Sequence, residues 1–204
     1  MKIWNGYEVE RAIGHRAYTD SEVVGWVGMK GFGKTEGMKH FLRVREPRVL
    51  ALDAFDDFEG LKLVADLDTA LDDMQRFTRS CRRRVQPPFD ADTYGYGAMA
   101  MQAILESLRN AVLALDELLM WVRPQTLDAF RKVIVQGRRL GIRTHYAAQL
   151  ISLIPTEVKS QTTDLVIFHL SRPSDLEYLA KWTSKRIATT AKELEIGQCL
   201  HVRL

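Results

Sequence analysis

The chain has 204 residues, 46% of them apolar and 27% charged, with a formal net charge of +3. That is enough to bury one sizeable core, and it excludes a disordered or fibrous chain; a net charge this small does not diagnose nucleic-acid binding. Apolar stretches are interrupted well before the roughly 20 residues a membrane span needs, and the first eight residues do not form a basic-plus-apolar signal peptide, so a soluble, intracellular protein is expected.

One domain over residues 1–204 is predicted, with residues 1–20 as an N-terminal extension. The first β-rich run is Val23–Val27, and it leads into Gly28, Met29, Lys30, Gly31, Phe32, Gly33, Lys34 and Thr35. This is the spacing of a phosphate-cradling loop. Backbone N–H groups of a glycine-rich turn at a helix N-terminus converge on a polyphosphate without steric obstruction. Lys34 is placed for the β- and γ-phosphates, and the Thr35 hydroxyl for Mg²⁺. A helix-compatible segment, 35–43, follows and carries Glu36 in its first turn, so both flanks meet the requirement of the motif. Lys30 is read as a solvent-facing or phosphate-steering charge.

The second run, Arg48–Leu52, ends in Asp53, which competes for a magnesium role but lacks a following glutamate; a strand-end turn is its expected job. The acidic runs 53–59 and 66–73 are read as solvated faces. A helix is expected over 69–80, then a basic run, 79–84. From Arg82 to Gly97, Pro87, Pro88 and the aspartate, tyrosine and glycine residues after them predict a long surface loop, of the kind that often carries function. The two cysteines, Cys81 and Cys199, lie far apart without metal-ligand spacing and are read as structural thiols.

A helix over 94–110 precedes Ala111–Leu115, an apolar run closed by two carboxylates. At the end of a buried strand, Asp116 would hold magnesium through water and Glu117 would orient or deprotonate the attacking water. The competing reading of Glu117 is a helix-start carboxylate. A helix over 125–140 carries Arg138 and Arg139, a strand over 143–148 ends in Gln149, and a strand over 164–170 and a helix over 174–182 follow. If the strand before Gln149 lies beside the P-loop strand, Gln149 reaches the γ-phosphate or the attacking water. Strands alternating with helices predict an α/β fold with a mostly parallel central sheet flanked by helices.

The order P-loop, Asp116-Glu117, Arg138-Arg139, Gln149, together with the wording from Gly137 to Ile142 and on to Ile154-Pro155, resembles the FtsK-HerA superfamily of DNA-pumping P-loop ATPases. The small size further resembles the genome-packaging ATPases of tailless, membrane-containing double-stranded DNA viruses. The resemblance implies a RecA-like sheet of the additional-strand type and a Mg²⁺-dependent ATPase that moves double-stranded DNA. It also implies a ring, commonly a hexamer, completed at each site by an arginine of the neighbour. Candidates for that arginine are Arg138 and Arg139, with Arg123 and Arg172 behind them. Capsid or viral-membrane proteins would be further partners, and the host cytoplasm or the virion vertex the place of work. Arg82, Arg83 and Arg84, with Arg79 before them and Phe89, Tyr94 and Tyr96 beyond, are the expected DNA-facing segment. Two rivals are a small-molecule kinase and a nucleotide-gated assembly protein of the filamentous-phage type; Asp116-Glu117 is a hydrolase pattern and Gln149 has no kinase task.

Overall fold

A computed structural model describes residues 2–8, 13, 23–87 and 93–204. Its strands are β1 (Ile3–Asn5), β2 (Val23–Val27), β3 (Arg48–Leu52), β4 (Lys62–Leu63), β5 (Cys81–Val85), β6 (Ala111–Leu115), β7 (Ile142–Ala148), β8 (Asp164–Ile167) and β9 (Gln198–Arg203). The described helices of four or more α-helical residues are α1 (Lys34–Arg45), α2 (Leu67–Arg76), α3 (Thr93–Ser107), α4 (Leu118–Trp121), α5 (Leu127–Gln136), α6 (Thr156–Gln161), α7 (Pro173–Trp182) and α8 (Lys185–Glu193). None of them is long and apolar enough to cross a membrane.

The strands form one sheet in the order β1-β9-β8-β2-β7-β6-β3-β5-β4. From β8 to β4 all pairs are parallel, while β9 and β1 add antiparallel at one edge. The P-loop strand β2 lies between β8 and β7, so β7 separates it from β6, the strand ending in the two carboxylates. The expected additional-strand arrangement is therefore observed.

Alternation along each strand divides the interior into two cores. Val23, Val27, Leu50, Leu52, Leu113 and Leu115 face one layer, with residues of α2, α3 and α5 to α8. Val24, Trp26, Val49, Ala51, Val112 and Ala114 face the other, where α1 contributes Met38, Phe41 and Leu42. The α1 face Lys34, Gly37, Met38, Phe41, Leu42 follows helical spacing, which seats the helix on the sheet directly behind the P-loop. Full burial of a side chain such as Phe41 contributes about 1.5–3 kcal/mol.

The structure differs from the expected surface loop at its start. Residues 81–85 form the inner strand β5, paired with β3 and β4. Arg82, Arg83 and Arg84 are half-buried and engaged within the chain: Arg82 donates to the carbonyls of Glu46 and Arg43, Arg83 pairs with Asp73, and Arg84 pairs with Asp53 and Asp56. Tethered ion pairs replace the apolar signal that identifies a strand in sequence. Tyr96 also turns inward, 6.4 Å from Trp121. Residues 88–92, with Phe89, lie outside the described residues, as does the Tyr94 side chain, and so does most of the expected 1–20 extension. Within that extension, Ile3–Asn5 joins the sheet through β9.

Candidate active site

The loop after β2 needs positive φ values of 153° at Gly28, 86° at Gly31 and 91° at Gly33, where α1 begins. At Gly28 a Cβ would also stand 2.7 Å from the Phe168 Cβ, so only glycine fits. The loop is braced from outside. Met29 donates its N–H to the His169 carbonyl at 2.9 Å, Gly197 donates to the Phe32 carbonyl at 3.2 Å, and the Phe32 ring stacks on His169 at 4.3 Å. The Ser171 hydroxyl donates to the Met29 sulfur at 2.9 Å. Phe32 thus holds the loop in place and does not line the cleft.

Beyond the loop opens a cleft of about 530 Å³ lined by Met29, Lys30, Gly31, Gly33, Lys34, Thr35 and Glu36, and by Phe55, Asp57, Asp116, Glu117 and Gln149. Every predicted phosphate-site residue except Gly28 and Phe32 lines it, and Asp116, Glu117 and Gln149 arrive from two other strand ends. Gln149 is brought there because Val27 pairs with Ala148 in the β2–β7 register. Phe55 and Asp57 join them in the lining; they follow β3 inside an acidic run with no motif to single them out.

Lys34 is 6% exposed and Asp116 2% exposed. Burial pushes the Lys34 ammonium below its ordinary value, opposed by Glu117, Asp116 and Asp57. Burial, with the neighbouring Asp57 charge, pushes Asp116 up to about 7, against the opposing influence of Lys34. Glu117 is also raised by burial, with Lys34 and hydrogen bonds from Gln149 favouring its charged form. One oxygen of Asp116 and one of Glu117 are buried without a hydrogen-bond partner. Unpaired anionic oxygens at this depth are costly, and a divalent cation is the natural group to satisfy them. Thr35 and Asp116 therefore fit the expected magnesium site, and the glycine loop fits a polyphosphate.

Glu117 adopts φ 52°, a left-handed conformation uncommon for a non-glycine residue. It stands at the N-cap of α4, yet its side chain makes no capping bond. Trp121 keeps the turn in place by donating its indole N–H to the Asp116 carbonyl at 3.1 Å. From the start of α4 the carboxylate is thus aimed into the cleft, at a backbone cost of about 1–3 kcal/mol. Asp53 has the turn role expected of it: its carboxylate accepts the N–H groups of Asp57 and Phe58.

The candidate arginines are elsewhere. Arg138 and Arg139 are exposed in a 3₁₀ turn, Gly137–Leu140, that precedes β7, whereas Gln149 follows it; the seven residues between edges span roughly 20 Å. Neither reaches the cleft of its own chain. Arg123 and Arg172 are exposed as well, after α4 and before α7.

A P-loop at the end of one central strand, with paired carboxylates and a glutamine at two neighbouring strand ends, defines the class: this is a P-loop NTPase fold with an additional strand between β2 and β6. No protein-family model and no curated protein matches the chain. Solved structures do. The genome packaging NTPase B204 from Sulfolobus turreted icosahedral virus 2, in complex with AMPPCP, matches with a TM-score of 0.71 and 18% identity over 90% of this chain and 92% of that one. B204 of Sulfolobus turreted icosahedral virus, a DNA-packaging ATPase, matches with a TM-score of 0.65 and 18% identity over 87% and 89%. VirB4 of Thermoanaerobacter pseudethanolicus matches with a TM-score of 0.68 and 11% identity over 93% and 88%. At 11–18% identity this likeness is one of fold, and at that level the likeness expected from the motif order is met.

Proposed function

We propose that the chain is a Mg²⁺-dependent ATPase that drives the packaging of double-stranded DNA into a viral capsid. One observation carries the hydrolytic part: the unpartnered carboxylate oxygens of Asp116 and Glu117 share the P-loop cleft with Gln149. A kinase excludes water from such a site; this one lines it with a carboxylate and an amide suited to hold a water molecule. The viral and DNA part is supported by the fold shared with B204.

The P-loop N–H groups and Lys34 bind the β- and γ-phosphates. Thr35 and Asp116 would hold magnesium, which would neutralise charge on the phosphate oxygens. Glu117 takes the proton of the attacking water, and Gln149 orients that water and senses whether the γ-phosphate is present. Arg138 and Arg139 stand at the opposite end of β7 from the cleft, so they serve a neighbouring copy in a ring, where a trans cation accelerates phosphoryl transfer by roughly 10³–10⁵. DNA contact in such a ring is to the phosphate backbone and weakens steeply with salt.

The test is phosphate release with and without double-stranded DNA. Stimulation that disappears at high salt supports the motor. Phosphate transfer to a nucleoside or metabolite would establish the kinase, and ATP binding with no turnover under any condition would establish a nucleotide-gated assembly protein.

A further inference from the structure

The acidic run 53–59 is split by its fold into carboxylates that hold a turn and one carboxylate that faces the cleft. Asp53 is fully buried; its Oδ1 accepts the Asp57 N–H at 2.9 Å and its Oδ2 accepts the Phe58 N–H at 3.0 Å. Arg84 on β5 donates to the same Oδ2 at 3.1 Å and also pairs with Asp56. One buried carboxylate and one arginine thus fasten the loop after β3. What the fastened loop presents is Asp57, half-buried in the wall of the P-loop cleft with Lys34, Asp116 and Glu117.

The Asp57 carboxylate has no hydrogen-bond or ion-pair partner among the described residues. It stands in the same cleft wall as Lys34, Asp116 and Glu117. Three carboxylates then face the one buried ammonium, and an Asp116 oxygen beside them is unpartnered at 2% exposure of the residue. Among the described residues no three acidic, imidazole or thiol groups converge to hold a bare ion. The cation that suits this charge is therefore one that arrives with phosphate and water ligands of its own, as magnesium does.

We propose that Asp57 is a specificity-determining residue that makes the cleft prefer magnesium-loaded over metal-free nucleotide, and that the Asp53–Arg84 pair positions it. The inference rests on the magnesium-nucleotide reading above and is independent of DNA. Physically, a third carboxylate repels the bare triphosphate, and in the metal complex that repulsion is offset by its attraction to the magnesium ion.

The experiment is calorimetric binding of a non-hydrolysable ATP analogue to the full chain, once with magnesium and once with EDTA. Asp57→Asn should weaken the magnesium arm about tenfold, the lower end of what loss of an outer-shell metal partner costs, and leave the EDTA arm equal or tighter. Arg84→Ala should weaken the magnesium arm in the same sense, and Asp57→Glu should recover part of it. Equal weakening of both arms of Asp57→Asn would make the residue merely structural, and two unchanged arms would make it a bystander; either result overturns the proposal. A wild-type protein whose affinity ignores magnesium would instead overturn the magnesium reading itself.

Discussion

Gly28 donates its backbone N–H to the carbonyl of Ala148, 3.2 Å away, so the P-loop and Gln149 leave adjacent parallel strands at one level. The contact ties phosphate binding to the residue that follows it on β7. Gln149→Ala removes that residue's amide and leaves the loop intact. Phosphate release should fall roughly 10²-fold, the scale for loss of one aimed hydrogen-bonding group, while the dissociation constant for an ATP analogue should stay within a few-fold of wild type. Steady-state kinetics beside equilibrium binding will check this.

Gly28→Ala tests the opposite side of the same contact. Its Cβ would meet Phe168 at 2.7 Å, at a φ that L side chains rarely adopt, and Phe168 is itself fully buried. Overpacking of this kind costs about 1–3 kcal/mol. The urea midpoint should drop, and nucleotide affinity should fall with it because the loop must move away from His169. Gly31→Ala, where nothing lies within 4 Å, should affect stability less.

Buried His145 makes the fold acid-sensitive. Its Nδ1 accepts the Trp26 indole N–H at 3.2 Å, it lies against Phe41, and burial pushes its value down to about 3. The unfolded chain takes up a proton near the ordinary 6.5, so stability from this residue is full above that pH and is lost as pH falls toward about 3. At roughly 1.4 kcal/mol per unit, on the order of 5 kcal/mol is at stake. Urea unfolding at about pH 7 and about pH 4 should show the loss, and His145→Gln, which keeps an acceptor for Trp26, should flatten it.

The strands β2, β3 and β6 were legible because central parallel strands are buried on both faces and read as unbroken apolar runs, whose ends match the structure residue for residue. The P-loop, Asp116, Glu117 and Gln149 were legible because each motif ends such a run. β5 was not, since Cys81-Arg82-Arg83-Arg84-Val85 hides a strand behind three arginines whose partners, Asp73, Asp53 and the Glu46 carbonyl, are distant in sequence. Asp57 was hidden for a related reason: only the Asp53 turn distinguishes it from its acidic neighbours. Arg138 and Arg139 were visible as residues, yet their position at the end of β7 away from the cleft depends on topology.

Glu117 is the residue on which the proposed hydrolysis turns. The most direct measurement is Glu117→Gln assayed for ATP binding and for single-turnover phosphate release in the presence of magnesium. Near-native binding is expected, with release reduced by roughly 10²–10⁴, the range for loss of a general base. Phosphate release at the wild-type rate would contradict it and assign the water to another group.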